Sequence, residues 1–356
     1  MKFLFATAAI GAAILLSPAP ALAGSTNIVV GAGPGGGPHV VSFDTPGLAA
    51  DGSFLAYAQS FSGGVDVALG SIGGEKVIIT GAGPGGGPHV KVFDAATLTP
   101  VDSFFAFDPG FSGGVTVALG KADGKDAIIV GAGAGGGPHV KVFDAATLAP
   151  LASFDAFDPA FTGGVSVASG EADGKPVIIV GAGAGGGPQV KVFDADTFAL
   201  LDSFDAFAPS FSGGVDVASG RIGGENIIIV GAGAGGGPHV KVYDADTMAL
   251  LDSFFAFAPG FTGGVSVAGG EFGGVDSIIV GAGAGGAPEV KVFDAATLGV
   301  EADYLAFNRE FTGGVDVAGE FASAAPEPSV WGMMIMGFGL TGWALRRRAA
   351  FGGLPA

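Results

Sequence analysis

One stretch, GAGPGGGPHVKVFDAAT at Gly81–Thr97, returns every fifty residues with little change, and nothing else in the chain constrains its fold as strongly. Copies begin at Gly31, Gly81, Gly131, Gly181, Gly231 and Gly281. Each is followed thirty residues later by F[ST]GGV, at Phe61, Phe111, Phe161, Phe211, Phe261 and Phe311. Six copies in unbroken register describe a repeat architecture, in which a unit too small to bury its own core must stack on its neighbours. The 356 residues therefore read as one repeat domain with two tails, although length alone suggests two or three domains.

Composition removes the alternatives to a packed fold. The 69 glycines and 30 phenylalanines invite comparison with a fibrous protein, but glycine does not recur every third residue, which excludes collagen. Apolar residues make up 49% of the chain, and runs such as Val77-Ile78-Ile79 and Ile227-Ile228-Ile229-Val230 need burial, which excludes disorder. The net charge is -18, and residues 24–325 alone carry 11 Lys or Arg against 32 Asp or Glu, a net of -21. A surface of that sign repels phosphate backbones, so no nucleic-acid partner is expected. Cysteine is absent, which removes disulfides and thiolate metal sites.

Met1–Ala23 reads as a secretory signal peptide. Lys2 precedes an apolar run from Phe3 to Leu16, and Ala21-Leu22-Ala23 closes it as a cleavage site after Ala23. The run is too short for a membrane span of about 20 residues. The implied partners are the Sec translocon and signal peptidase.

Between the tails, each unit predicts four short strands divided by turn signals. In the third unit these are Val115–Leu119, the unbroken apolar run Ala127–Val130, His139–Asp144, and Ala152–Phe157 ended by Pro159. Asp123-Gly124 marks a tight hairpin between the first two, with Gly73-Gly74, Gly223-Gly224 and Gly273-Gly274 in the same place elsewhere. Phenylalanines at fixed phase, Phe104, Phe154, Phe204 and Phe254 or Phe107, Phe157, Phe207 and Phe257, are the expected filler between neighbouring sheets. The fold class is all-β: a six-bladed β-propeller of 50-residue, four-stranded repeats over residues 24–321. The chain enters at a second strand, Asn27–Val30, and leaves after a sixth first strand, Val315–Ala318. That last strand then completes the first blade and removes the open edges of a linear solenoid, the rival architecture.

The pattern GGVxVAxG, a short turn, then IIVGAGxGGGPxVKVFD resembles the FG-GAP or VCBS type of repeat found in integrin-alpha-like propellers. In that family the turn after the first strand is often a calcium loop of the form DxDxDG. The equivalent Glu171-Ala172-Asp173-Gly174-Lys175 is about two residues shorter and lacks most of the oxygens, whereas calcium takes six to eight. No cofactor is expected on this account, with calcium the one ion that the resemblance raises.

After the repeat come a small-residue linker and motif over 322–329, an apolar segment over 330–345 and a basic tail over 346–356. Unaided, these read as a proline-marked break, a minimal membrane helix and a cytoplasmic stop at Arg346-Arg347-Arg348. The order Pro326-Glu327-Pro328, Trp331, apolar run, Arg346-Arg347-Arg348 resembles the PEP-CTERM sorting signal of Gram-negative bacteria. The resemblance implies recognition by an exosortase, a membrane protease-transpeptidase linked to exopolysaccharide export. The protein would rest briefly in the inner membrane before reaching the cell surface or the exterior.

Three constellations could carry chemistry. His39, His89, His139 and His239 share one phase of the repeat, with Gln189 and Glu289 in the remaining units. They form the candidate binding ring, although equivalent positions on different blades lie more than about 10 Å apart, too far to share one metal. The GAGxGGG loops lack the following helix that a nucleotide loop needs, so close backbone passage is the expected role of their glycines. The in-phase lysines (Lys91, Lys141, Lys191, Lys241, Lys291) and aspartates (Asp94, Asp144, Asp194, Asp244, Asp294) read as solvated or blade-to-blade ion pairs. No Ser-His-Asp or paired-carboxylate arrangement stands out of the repeat, and near-identical blades give no asymmetric catalytic site. The functional expectation is a non-catalytic binding or adhesion module in exopolysaccharide or biofilm, with exopolysaccharide or surface proteins as its partners. A purely structural matrix component and a propeller hydrolase are the alternatives.

Overall fold

The computed structural model describes residues 26–321. The signal peptide with Ala23, the linker, the apolar segment and the sorting residues Pro326, Glu327, Pro328, Trp331 and Arg346 to Arg348 lie outside the described residues. Within them, 24 strands form six four-stranded antiparallel sheets, the blades of a propeller.

The third blade shows how one repeat folds. Strands β8 (Val115–Ala122), β9 (Lys125–Ala132), β10 (His139–Asp144) and β11 (Pro150–Asp155) pair in chain order, from the axis outward. Asp123 and Gly124 join the first two with φ of 51° and 69°. A two-residue turn with both φ positive matches strand twist, so the ladder runs to its end at Ala122 and Lys125. Strands one and two are thus longer than their apolar runs suggested. Ala127, Ile128, Ile129 and Val130 are all fully buried, as an unbroken apolar run requires when both faces of a strand are covered. Each such isoleucine contributes about 1.5–3 kcal/mol by leaving water.

Strand four departs from the sequence-based expectation. It begins at Pro150 and stops at Asp155, two residues early at each end. A bulge between Val142 and Phe143 sets Pro150 opposite Phe143, so the ladder starts sooner. Phe157 then lies in the crossover, packed edge-on against Phe161 at 6.2 Å.

The ring closes as the phase of the ends predicts. The first blade is β24 (Val315–Gly319), β1 (Thr26–Ala32), β2 (His39–Asp44) and β3 (Ala50–Leu55), with Val30 opposite Val317 and Ala32 opposite Val315. The fixed-phase aromatics sit where they were expected, across the seams between blades. Phe104 meets Phe143, Phe154 meets Phe193, Phe204 meets Tyr243 and Phe254 meets Phe293, with centroids 4.7–5.0 Å apart. Phe54 with Phe93 and Tyr304 with Phe43 complete six seams, the last joining the final repeat to the first.

Candidate functional site

Each blade sends its second-to-third loop (GAGxGGGP) and its incoming crossover (F[ST]GGV) to one end of the ring, and its hairpin and DAxT turn to the other. At the glycine-loop end the backbones nearly touch. A Cβ on Gly83 would stand 2.2 Å from the Gly63 carbonyl oxygen, and Gly114, at φ +79°, would place one 2.6 Å from the Gly83 carbonyl carbon. No side chain fits there. The glycines thus serve close passage both within a blade and between blades. They frame a vestibule of about 400 Å³, lined by Gly33, Gly64, Gly83, Gly113 and their equivalents, that opens onto the propeller axis.

Below the vestibule lies a belt that sequence reasoning missed. The variable residue of GGVxV is Asp66, Thr116, Ser166, Asp216, Ser266 and Asp316 in turn. All of these side chains but that of Ser266 line a cavity of about 50 Å³ on the axis. Five of them accept the backbone N–H of the next blade: Val67 N–H to Asp316 at 2.7 Å, Val117 to Asp66 at 2.6 Å, Val217 to Ser166 at 3.2 Å, Val267 to Asp216 at 2.8 Å and Val317 to Ser266 at 3.2 Å. Thr116 instead donates to the Val165 carbonyl at 2.9 Å. Ser166 and Ser266 donate to Asp216 and Asp316 at 2.6 and 2.9 Å. Every blade is therefore tied to the next around the axis. The signal was present in the sequence: x is always a small oxygen-bearing residue between two valines.

Burial dominates the titration of the belt. It pushes Asp66 well above the ordinary carboxylate range, with Asp316 as a second cause, and it raises Asp216. Asp316 is pushed up to about 7, first by burial and then by Asp216. A buried carboxyl facing like charges holds its proton because ionisation would leave charge with no water around it.

The candidate ring of histidines is dispersed rather than gathered. His39, His89, His139, Gln189, His239 and Glu289 each open the third strand of a separate blade. Among the described residues no group of three or more His, Asp or Glu is placed to hold a metal ion. Each histidine bonds through Nε2 to a serine of its own blade's fourth strand: Ser53, Ser103, Ser153 and Ser253, at 2.7–2.8 Å. The preceding blade supplies an aromatic ring against each imidazole, Phe307, Tyr57, Phe107 and Phe207, at 5.2–5.6 Å. Burial lowers the pKa of His39, His89 and His239, with Lys91 and Lys241 adding to it for the last two. Those imidazoles are neutral near pH 7. Glu289 faces Lys291 at 3.3 Å.

Two sequence readings are corrected here. The in-phase lysines and aspartates do not pair as a series. Lys91, Lys141, Lys191 and Lys241 each donate to a carbonyl of the preceding blade (Ala56, Ala106, Ala156, Ala206) at 2.8–2.9 Å and lie over its aromatic ring. Asp94 and its equivalents accept from both the hydroxyl and the N–H of the threonine three residues on, which lowers their pKa and shapes the DAxT turn. The second correction is chemical. A Ser-His-Asp arrangement does exist in the third blade: Ser153 Oγ lies 2.8 Å from His139 Nε2, and Asp155 Oδ1 lies 2.9 Å from His139 Nδ1. The turn compared with a calcium loop closes as a two-residue hairpin, and its Asp173 N–H donates to Asp246 of the next blade at 2.6 Å.

At the hairpin end the chain leaves the propeller. Glu320 and Phe321 line the far mouth of the axis, where the Arg221 guanidinium lies 4.2 Å from the Phe321 ring centroid. Strand β1 starts at that same end, since Ile28 pairs with Gly319.

A six-bladed propeller is thus the class of protein this fold defines. Residues 324–348 match the family model of the PEP-CTERM protein-sorting motif, so the chain carries that motif. The motif implies an extracellular protein sorted by an exosortase. No curated protein matches the chain in sequence. Among solved structures, a chain of the mitotic checkpoint complex is similar at 12% identity and TM-score 0.49, covering 86% of this chain and 90% of that one. The Dos1 propeller is similar at 13% identity and TM-score 0.45, covering 80% and 76%. U3-55K is similar at 14% identity and TM-score 0.48, covering 75% and 76%.

Proposed function

We propose that the exported propeller is a binding or adhesion module of the cell surface or extracellular matrix, working through its glycine-loop end. The observation that carries this reading is the placement of the two ends of the described residues. Both lie at the hairpin end, so a protein held through the segment that follows residue 321 presents the opposite end outward. That end bears the glycine vestibule, the histidine-serine pairs and the exposed Asp108 and Asp158. The exposed backbone of the glycine loops, whose Gly33, Gly35 and Gly36 N–H groups are already bonded within the ring, offers carbonyls that suit hydroxyl-rich partners, and six near-equal blades favour weak contacts that add by multivalency. The net of -21 over residues 24–325 disfavours anionic polymers unless a divalent cation bridges them. A glycan array and calorimetry on residues 24–325, with and without calcium, test the reading. Saturable glycan binding supports it, and its absence, with melting unchanged by calcium, leaves the structural matrix reading in its place.

A further inference from the structure

The third blade alone combines a histidine, a serine and an aspartate on one face of its two outer strands, and the combination completes a reaction centre. The ladder between β10 and β11 sets His139 opposite Asp155 and Lys141 opposite Ser153. Alternation along each strand puts all four side chains on one face. Asp155 Oδ1 and Ser153 Oγ flank the two ring nitrogens of His139, so in the tautomer with the proton on Nδ1 that N–H donates to Asp155 and the Nε2 lone pair faces the Ser153 hydroxyl. That is the tautomer a general base requires, and the order of contacts is that of a nucleophile, its base and a residue orienting the base.

No other blade has all three groups. The Asp155 position holds Leu55, Phe105, Phe255 and Leu305 elsewhere. The fourth blade has Ser203 and Asp205 but Gln189 in place of histidine, and the sixth has Glu289 and Asp303 in place of histidine and serine. In the second and fifth blades the substitute is a phenylalanine stacked on the imidazole, His89 to Phe105 at 4.7 Å and His239 to Phe255 at 4.6 Å. An asymmetric centre, the feature that near-identical repeats were expected to lack, therefore arises from a combination of three residues that the third blade alone holds. Ser153 is exposed, and the His139 side chain keeps 33% of its surface open, so a substrate reaches both. Phe107 closes the side of the imidazole toward the second blade, edge-on at 5.6 Å.

We propose that the third blade carries an acyl-transfer site, with Ser153 as nucleophile, His139 as general base and acid, and Asp155 as the residue that positions His139. Ser153 Oγ forms a bond to the acyl carbon of an ester while its proton passes to Nε2. The ester C–O bond breaks, and the leaving alcohol takes that proton. Water then attacks the acyl carbon and gives a proton to Nε2, the bond to Oγ breaks, and Oγ takes the proton back, releasing the carboxylic acid. Lys141, the cross-strand neighbour of Ser153, supplies positive charge for the oxyanion; its Nζ is held by the Ala106 carbonyl at 2.9 Å. The site is a shallow seam rather than a deep pocket, and the protein is strongly acidic. Both properties select small, uncharged acyl esters projecting from a larger molecule.

The test uses the chain after signal removal, residues 24–356 in detergent, with a fluorophosphonate probe and p-nitrophenyl acetate. Peptide mass spectrometry is expected to find the phosphonyl group on Ser153 and not on Ser103 or Ser253, whose histidines lack the carboxylate. Ser153→Ala and His139→Gln are expected to abolish labelling and to lower ester turnover about 100-fold or more. Asp155→Leu, which installs the residue of the first and sixth blades, is expected to lower it at least about tenfold and to move the midpoint of the pH-rate profile. Phe105→Asp supplies the missing carboxylate to the second blade and is expected to bring labelling to Ser103, a gain that no loss of folding mimics. The proposal is overturned if Ser153 stays unlabelled in the folded protein, if Ser103 and Ser253 label equally, or if turnover survives Ser153→Ala.

Discussion

Asp316 accepts the backbone N–H of Val67 at 2.7 Å, across a sequence separation of 249 residues. The contact joins the last of the described strands to the second blade, and it belongs to a belt in which side chains of the innermost strands fasten each blade to the next. A propeller has no single core; six interfaces and one axis hold it. Contacts that cross those interfaces therefore decide whether the ring stays shut.

The belt makes stability depend on pH. Folded Asp316 titrates at about 7, and Asp66 and Asp216 are raised as well, whereas in the unfolded chain all three ionise near 3.8. Between about pH 4 and 7 the folded protein keeps protons that the unfolded chain has released, so this contribution falls as pH rises through that window. The lowered His39, His89 and His239 act in the opposite direction below about pH 6.5. The belt is therefore isolated by comparing wild type with Asp316→Asn and Asp66→Asn in calorimetric scans. The wild-type melting temperature is expected to lose about 3–6 °C more than the variants between pH 5 and 8. Parallel pH curves would refute it.

Removal of residues 311–356 deletes β24 and leaves β1 as an open, fully buried-type edge. The shortened protein is expected to elute as oligomers or aggregate in size-exclusion chromatography. A chain ending at residue 325 keeps the strand and is expected to elute as a discrete species. Equal behaviour of the two would show that the velcro strand is dispensable.

The seam aromatics invite a simple loss experiment. Phe204→Ala removes the ring that lies 4.7 Å from Tyr243 and opens a gap between the fourth and fifth blades. The expected cost is about 2–3 kcal/mol, read as a melting temperature lower by about 5 °C. Leu201→Ala, at an exposed position of the same outer strand, is expected to change melting by less than about 1 °C.

Transit is checked on the mature protein. Export with exosortase processing predicts a C-terminus near Pro326–Pro328 and the absence of Arg346 to Arg348 from surface or extracellular fractions. Mass spectrometry that recovers an intact Arg346-containing C-terminus there would refute processing. The N-terminus is expected at Gly24.

The repeat itself determined the architecture. The fifty-residue period, the apolar runs such as Ala127–Val130, the Asp-Gly hairpins and the phase of the two ends suffice to place six blades and their closure, because each records a local demand: a twist-matched turn, a doubly covered strand, a strand in need of a partner. The sorting motif is likewise read in linear order. Other properties depended on distance in space. The start of strand four moved because a bulge at Val142 and Phe143 resets the register, and propensity along one strand carries no information about its partner's bulge. Lys141 looked like half of an ion pair until the preceding blade's Ala106 carbonyl came within reach. The belt's residues vary, and only the axis reveals that aspartate and serine there accept the same backbone donor while threonine donates to a carbonyl instead. Ser153, His139 and Asp155 stand fourteen and sixteen residues apart; the antiparallel ladder alone brings them to hydrogen-bonding distance, since pairing, not spacing, sets which side chains face each other.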